Sequence, residues 1–123
     1  MDKSQWIHNC YFKAQDAFCS AHMVSGNEPD VVYSYIYHSR RLSSYYGEGS
    51  EYCNTLLCEY FLRQTFSHFL TAIQNTSLTL TFRQLCLNSI HNLLFELKKH
   101  YQNLSGGQQK YLELKYQLQT IHI

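Results

Sequence analysis

Between Thr81 and Tyr101 the chain sets Phe82, Leu85, Cys86, Ile90, Leu93, Leu94, Leu97 and Tyr101 at helical spacing, in a run with no Gly or Pro. One face of such a helix is apolar along its whole length and has to be covered, so the rest of the chain must supply partners for it. Thr81 followed three residues later by Gln84 matches a capping box, and Lys98 and Lys99 fall in the last turns, where cations suit the helix dipole.

Three further segments have the same character. From Gln5 to Val24, Trp6, Ile7, Cys10, Tyr11, Ala14, Ala17, Phe18 and Ala21 keep an i, i+3, i+4 rhythm, with Asp2 or Ser4 available as cap. Ser25 to Pro29 then reads as a stop, a loop and a first-turn proline. Glu51 to Asn75 is apolar on several sides, so it is either central or shared with a second subunit; Ser50 is the expected cap, with Glu51 in the first turn. Gln108 to Gln119 closes the series through Tyr111, Leu114 and Leu118, with Ser105 as a cap.

Two stretches are less direct. Tyr33, Tyr35 and Tyr37 alternate like a strand, whereas Val32, Ile36, Ser39 and Leu42 keep helical spacing; Pro29 at a first-turn position favours helix for residues 30–46. Leu78 to Thr81 alternates too, but is too short to make a sheet. The expectation is an all-α single domain over residues 1–123, a bundle of four to five antiparallel helices centred on 51–75 and 82–101.

Composition narrows the function. The chain has 123 residues and a net charge of +1 with its seven His neutral, a balance that does not favour nucleic acid or an anionic membrane. Protonating the histidines would make it markedly cationic in mild acid. No run is long and apolar enough for a membrane span. Five cysteines, an odd number, with no secretory-signal pattern ahead of them point to a reducing, cytoplasmic setting. His8, Cys10, Cys19 and His22 are metal-ligand types, but helical spacing separates His8 from Cys19 by roughly 16 Å, and Cys53 and Cys58 at i, i+5 point in different directions. Neither a metal nor a cofactor is expected.

Eleven Tyr exceed the needs of one small core, because a tyrosine buries its ring and keeps its hydroxyl wet or bonded. The set Tyr33, Tyr35, Tyr37, Tyr45 and Tyr46 around Arg40 and Arg41 combines the residue types that dominate interface hot spots. Asp30, Glu48 and Glu51 flank it, so a protein surface is a better match than single-stranded nucleic acid. The expected function is non-enzymatic: an adaptor, chaperone-like or regulatory module that meets another protein or its own copy, as a dimer.

Two short motifs bear on alternatives. Leu104-Ser105-Gly106-Gly107-Gln108 resembles the signature pentapeptide of ABC-type ATPases, but no Walker A sequence accompanies it, so it reads as a helix-to-helix turn. Arg63-Gln64-Thr65-Phe66-Ser67-His68 resembles the Arg-x(4–6)-His pattern of HEPN domains, small helical proteins that include metal-independent ribonucleases. That resemblance implies Arg63 as the charge stabiliser and His68 as the proton carrier. Gln64 stands where Asn, Asp or His is usual after the Arg, and the pair stands about 140° apart around an ideal helix.

Overall fold

The computed structural model describes residues 2–20 and 28–121, arranged in five helices: α1 Lys3–Cys19, α2 Glu28–Tyr45, α3 Thr55–Gln74, α4 Leu80–Tyr101 and α5 Gly107–Gln119. The all-α bundle expected from the periodicity is the fold found. No strand occurs among the described residues; Tyr33 to Tyr37 lie within α2, and Leu80 and Thr81 form the first turn of α4. The first helix ends at Cys19 with Ser20 as its C-cap, short of the expected Val24, and the expected stop at Ser25 to Asn27 and His22 lie outside the described residues.

Capping differs from the sequence expectation at three helices. α3 starts at Thr55 because Asn54 turns its side chain onto the Leu57 amide at 3.1 Å. Ser50 is committed elsewhere: its hydroxyl donates to the Tyr45 carbonyl at 2.6 Å and closes the end of α2. α4 is capped by Thr79, which accepts from the Phe82 amide at 3.1 Å, so Thr81 already lies inside the helix. α5 is capped by Gly106 in the left-handed conformation and not by Ser105. At α1, Asp2 is the cap and accepts from the Gln5 amide.

Cross-helix contacts give the directions. Arg83, in the first turn of α4, donates to the Ile73 carbonyl at the end of α3, while Tyr101 at the far end of α4 meets Glu59 and Arg63 near the start of α3. α3 and α4 are therefore antiparallel. The pairs Tyr46–His8 and Phe18–Tyr35 orient α1 against α2 in the same way. α4 packs on α2, α3 and α5, and α2 packs on α1, α3 and α4. The centre thus includes α2 as well as the two helices expected.

One buried cluster draws side chains from all five helices. Its middle is aromatic: Phe18 stacks on Phe69 at 4.7 Å and lies 5.7 Å from Phe82, and Tyr35 lies 6.0 Å from Phe69. Beside it runs a polar seam. The Tyr11 hydroxyl lies 3.1 Å from Thr65 Oγ1 and 3.1 Å from Gln64 Oε1; Ser39 Oγ approaches Thr65 Oγ1 at 2.5 Å, and Tyr35 meets His68 Nδ1 at 2.6 Å. Buried hydroxyls are costly unless bonded, and this seam satisfies them across α1, α2 and α3.

Burial lowers the pKa of His68, and burial is also the main cause of the lowered value of His100. The unfolded chain takes up protons near pH 6.5 that the fold resists, so this stability is complete above that value and is lost as pH falls below it. Burial alone would raise the Glu59 carboxyl, but the Tyr101 hydroxyl, Lys110 and Arg63 outweigh it and hold the group below its usual range, so this contribution is lost further into acid. The urea midpoint should therefore drop between about pH 7.5 and about pH 5; a midpoint that stays flat or rises would contradict this assignment.

Candidate interaction groove

On a helix, residues four apart fall about 40° from each other and residues two apart about 200°. Tyr33 and Tyr37 therefore share the outer face of α2 and are each 56% exposed, whereas Tyr35 turns inward and is 0% exposed. Tyr35, expected at the partner surface, is corrected to a core residue. Its ring packs on Phe18 and Phe69, and its hydroxyl belongs to the buried seam. Burial raises its pKa above the usual tyrosine value, which keeps the phenol protonated.

Arg41 continues the outer stripe. Its guanidinium carbon lies 4.8 Å from the centroid of the Trp6 ring and 5.8 Å from that of Tyr37, cation–π contacts that join α1 to α2 at the surface. Trp6, assigned by periodicity to the apolar face of α1, is 45% exposed. Further along, Tyr45 stacks on Tyr52 at 4.9 Å with the planes 11° apart, fixing the loop between α2 and α3 against the end of α2. Tyr46 turns inward: it stacks on Phe61, and its hydroxyl bonds His8 Nε2 at 3.0 Å. His8 Nδ1 donates to the Ser4 carbonyl at 2.7 Å, so Nε2 is left to accept from Tyr46.

An open groove of about 730 Å³ runs here, with a lining that includes Tyr37, Arg40, Arg41 and Tyr45, and Tyr52 from the loop. Lys3 of α1 and Glu96 and Lys99 of α4 also line it, and local sequence pattern gave no sign of them because they come from remote segments. Glu96 is a largely buried carboxylate held between Arg40 at 3.2 Å and Lys99 at 3.4 Å. Four cations and two carboxylates, Glu51 and Glu96, line the groove, so its net charge is positive. Burial, aided by the charge of Arg41, lowers the pKa of His38, the neighbour of Tyr37.

Arg63 and His68 border a second shallow groove, of about 720 Å³, along α3. Their polar ends have separate partners. Arg63 Nη1 donates to the Tyr101 hydroxyl at 3.1 Å and lies 3.7 Å from Glu59, whereas His68 Nδ1 is engaged by Tyr35 of α2. The Tyr101 hydroxyl donates to Glu59 at 2.5 Å; burial first, then that carboxylate, pushes its pKa up to about 12. The fold thus gives Arg63 a structural partner set and gives His68 an orienting phenol, while both side chains line the same groove.

Cys53 and Cys58, expected to diverge, border one cavity of about 260 Å³ with His100. They flank the Asn54 cap at the positions where hydrophobic residues usually staple a helix start, which brings the two side chains to one side. Burial pushes the Cys58 thiol up to about 11 and the Cys86 thiol up to about 12, as for inert core cysteines. Among the described residues, no three His, Cys, Asp or Glu side chains converge on a point that could hold a metal ion. No described helix is long and apolar enough to cross a membrane.

The fold and the groove together define an all-α helical bundle with an aromatic, net cationic cleft between its second helix and the flanking α1, α4 and loop. Set against protein-family models, curated proteins and solved structures, the chain matches none of them.

Proposed function

We propose that this chain is a non-enzymatic protein-interaction module of adaptor or regulatory type, and that it docks its partner along the groove lined by Tyr37, Arg41, Tyr45 and Tyr52, with Trp6 packed on Arg41 and Tyr33 exposed on the same outer face of α2. The observation that carries the reading is Arg41 held against Trp6 and Tyr37, rings that each keep about half of their surface exposed. Trp, Tyr and Arg supply most interface energy when desolvated together, because each offers a large rigid face and a polar edge. Here they are fixed before any partner arrives, which reduces the entropy lost on binding.

The partner is a different protein and not a second copy of this chain. A two-fold contact would set the same patch against itself. It would set a groove of net positive charge against its own copy, and like charges facing each other oppose association.

A photo-crosslinking residue in place of Tyr37 tests this in living cells, with the same residue in place of Gln119 as the control. A discrete protein adduct should form at position 37, and introducing Arg41→Glu should reduce it by at least about tenfold, the order of effect of losing a modest hot spot. The reading fails if positions 37 and 119 give the same adducts, if Arg41→Glu changes nothing, or if the adduct is the chain's own dimer.

A further inference from the structure

Taking the groove as a protein-docking site, we infer that it recognises an acidic segment of the partner, in which carboxylates alternate with apolar or aromatic side chains. The argument rests on which charges in the groove are already satisfied. Glu96 is only 14% exposed at its side chain and is bracketed by Arg40 and Lys99, so both of these cations already have a carboxylate partner. Arg41 and Lys3 have no ion pair among the described residues, and both line the groove. Glu51, on the loop, is the remaining carboxylate of the lining.

Arg41 is oriented for such a ligand. With Trp6 and Tyr37 against its guanidinium, the planar donor edge is the part left for a carboxylate, which matches that fork with two parallel hydrogen bonds. Lys3 adds a second, point-like cation from α1. Between and beside these charges lie Tyr37, Tyr45 and Tyr52, whose ring faces take apolar side chains. A segment alternating acid and apolar residues would meet both features as it runs along the open cleft.

A nucleic-acid strand is a poorer match. Its affinity depends on several phosphates each finding an uncommitted cation. This groove offers two, and a strand lying in it would pass the Glu51 and Glu96 carboxylates. The net charge of the whole chain, +1, supplies no wider attractive field.

Two variants separate recognition from folding. Arg41→Glu reverses the central charge. Lys3→Glu reverses the second cation in the first turn of α1, where an acidic residue suits the helix dipole, so a loss of binding there is not a loss of stability. The probes are a short fluorescent peptide alternating Glu with Phe and Leu, the same peptide with Gln for Glu, and an oligothymidylate of similar length. Anisotropy should report binding of the acidic peptide, with at least about tenfold weaker binding of the Gln peptide and of the acidic peptide by Arg41→Glu, and a smaller loss with Lys3→Glu. Amide shifts on titration should centre on Tyr37, Arg41 and Tyr52.

Equal binding of the two peptides, tighter binding of the oligothymidylate, or no binding of any probe would each overturn the inference. If the Tyr37 crosslink in cells persists while the acidic peptide fails, only the charge assignment falls. If both fail, the docking reading falls with it.

Discussion

Replacing Phe69 by alanine should lower the free energy of unfolding by about 3–5 kcal/mol, the cost of removing a fully buried aromatic ring from a core that cannot close the gap. Phe69 is 0% exposed, stacks on Phe18 and lies against Tyr35, so its ring sits where α1 and α2 meet α3. Phe18 in turn touches Phe82, which extends the aromatic cluster to α4. A cavity here would weaken contacts between four helices at once. Leu56→Ala on the same helix is the internal control: Leu56 is 77% exposed, and its loss should stay within about 0.5 kcal/mol. Urea unfolding followed by circular dichroism measures both. If the two variants shift the midpoint equally, the core is not where the fold places it.

Gly107→Ala should be the most damaging conservative change outside that core, at about 1–3 kcal/mol. A Cβ at this position would sit 2.1 Å from the Tyr101 carbonyl oxygen and 3.0 Å from its carbonyl carbon, and backbone atoms at a helix end cannot rotate aside as a side chain would. α5 would have to lift off α4, exposing Leu114 and Leu118. Hydrogen exchange should show lost protection through 107–119 while α3 and α4 keep theirs. Gly106→Ala is the contrast. Its φ of +71° strains any L side chain, but nothing lies near the added carbon, so about 1–2 kcal/mol is expected with α5 still docked. Uniform loss of protection across all helices in Gly107→Ala would show instead that α5 is integral to the folding unit.

These two glycines also explain the Ser105-Gly106-Gly107 motif without any nucleotide. One supplies a left-handed cap, and the other lets two helices touch at backbone distance. The motif is a consequence of packing α5 tightly against the end of α4 after a short turn.

Much of the fold was legible because helical periodicity is a local property. Phe82 to Tyr101 states its own apolar face, and the eight buried residues observed on α4 include seven of those the spacing marks, with Ser89 completing the face. Helix starts were harder. Thr79, Thr81, Ser50, Asn54 and Ser105 all have capping chemistry or neighbour residues that do, and which one acts depends on where the chain must turn to dock, a choice set by contacts distant in sequence.

The docking surface was half legible for the same reason. Clustering of Tyr and Arg between residues 33 and 46 is visible in the letters, but a helix sends Tyr33 and Tyr37 outward and Tyr35 inward, while a strand would put all three on one face. Lys3, Trp6, Tyr52, Glu96 and Lys99 come to that surface from three other segments. No spacing rule could join them.

By itself, then, the sequence determined that the chain is helical, roughly where each helix lies, and which residue types are in surplus, because propensity and periodicity act within a few turns. The tertiary structure decided which tyrosines are spent on the core, that Arg63 is tied to Tyr101 while His68 is tied to Tyr35, and that Arg41 lies against Trp6 and Tyr37. Those outcomes depend on the rotation of each helix about its own axis, which is set only when apolar faces from distant parts of the chain are packed together and their buried hydroxyls have to find partners.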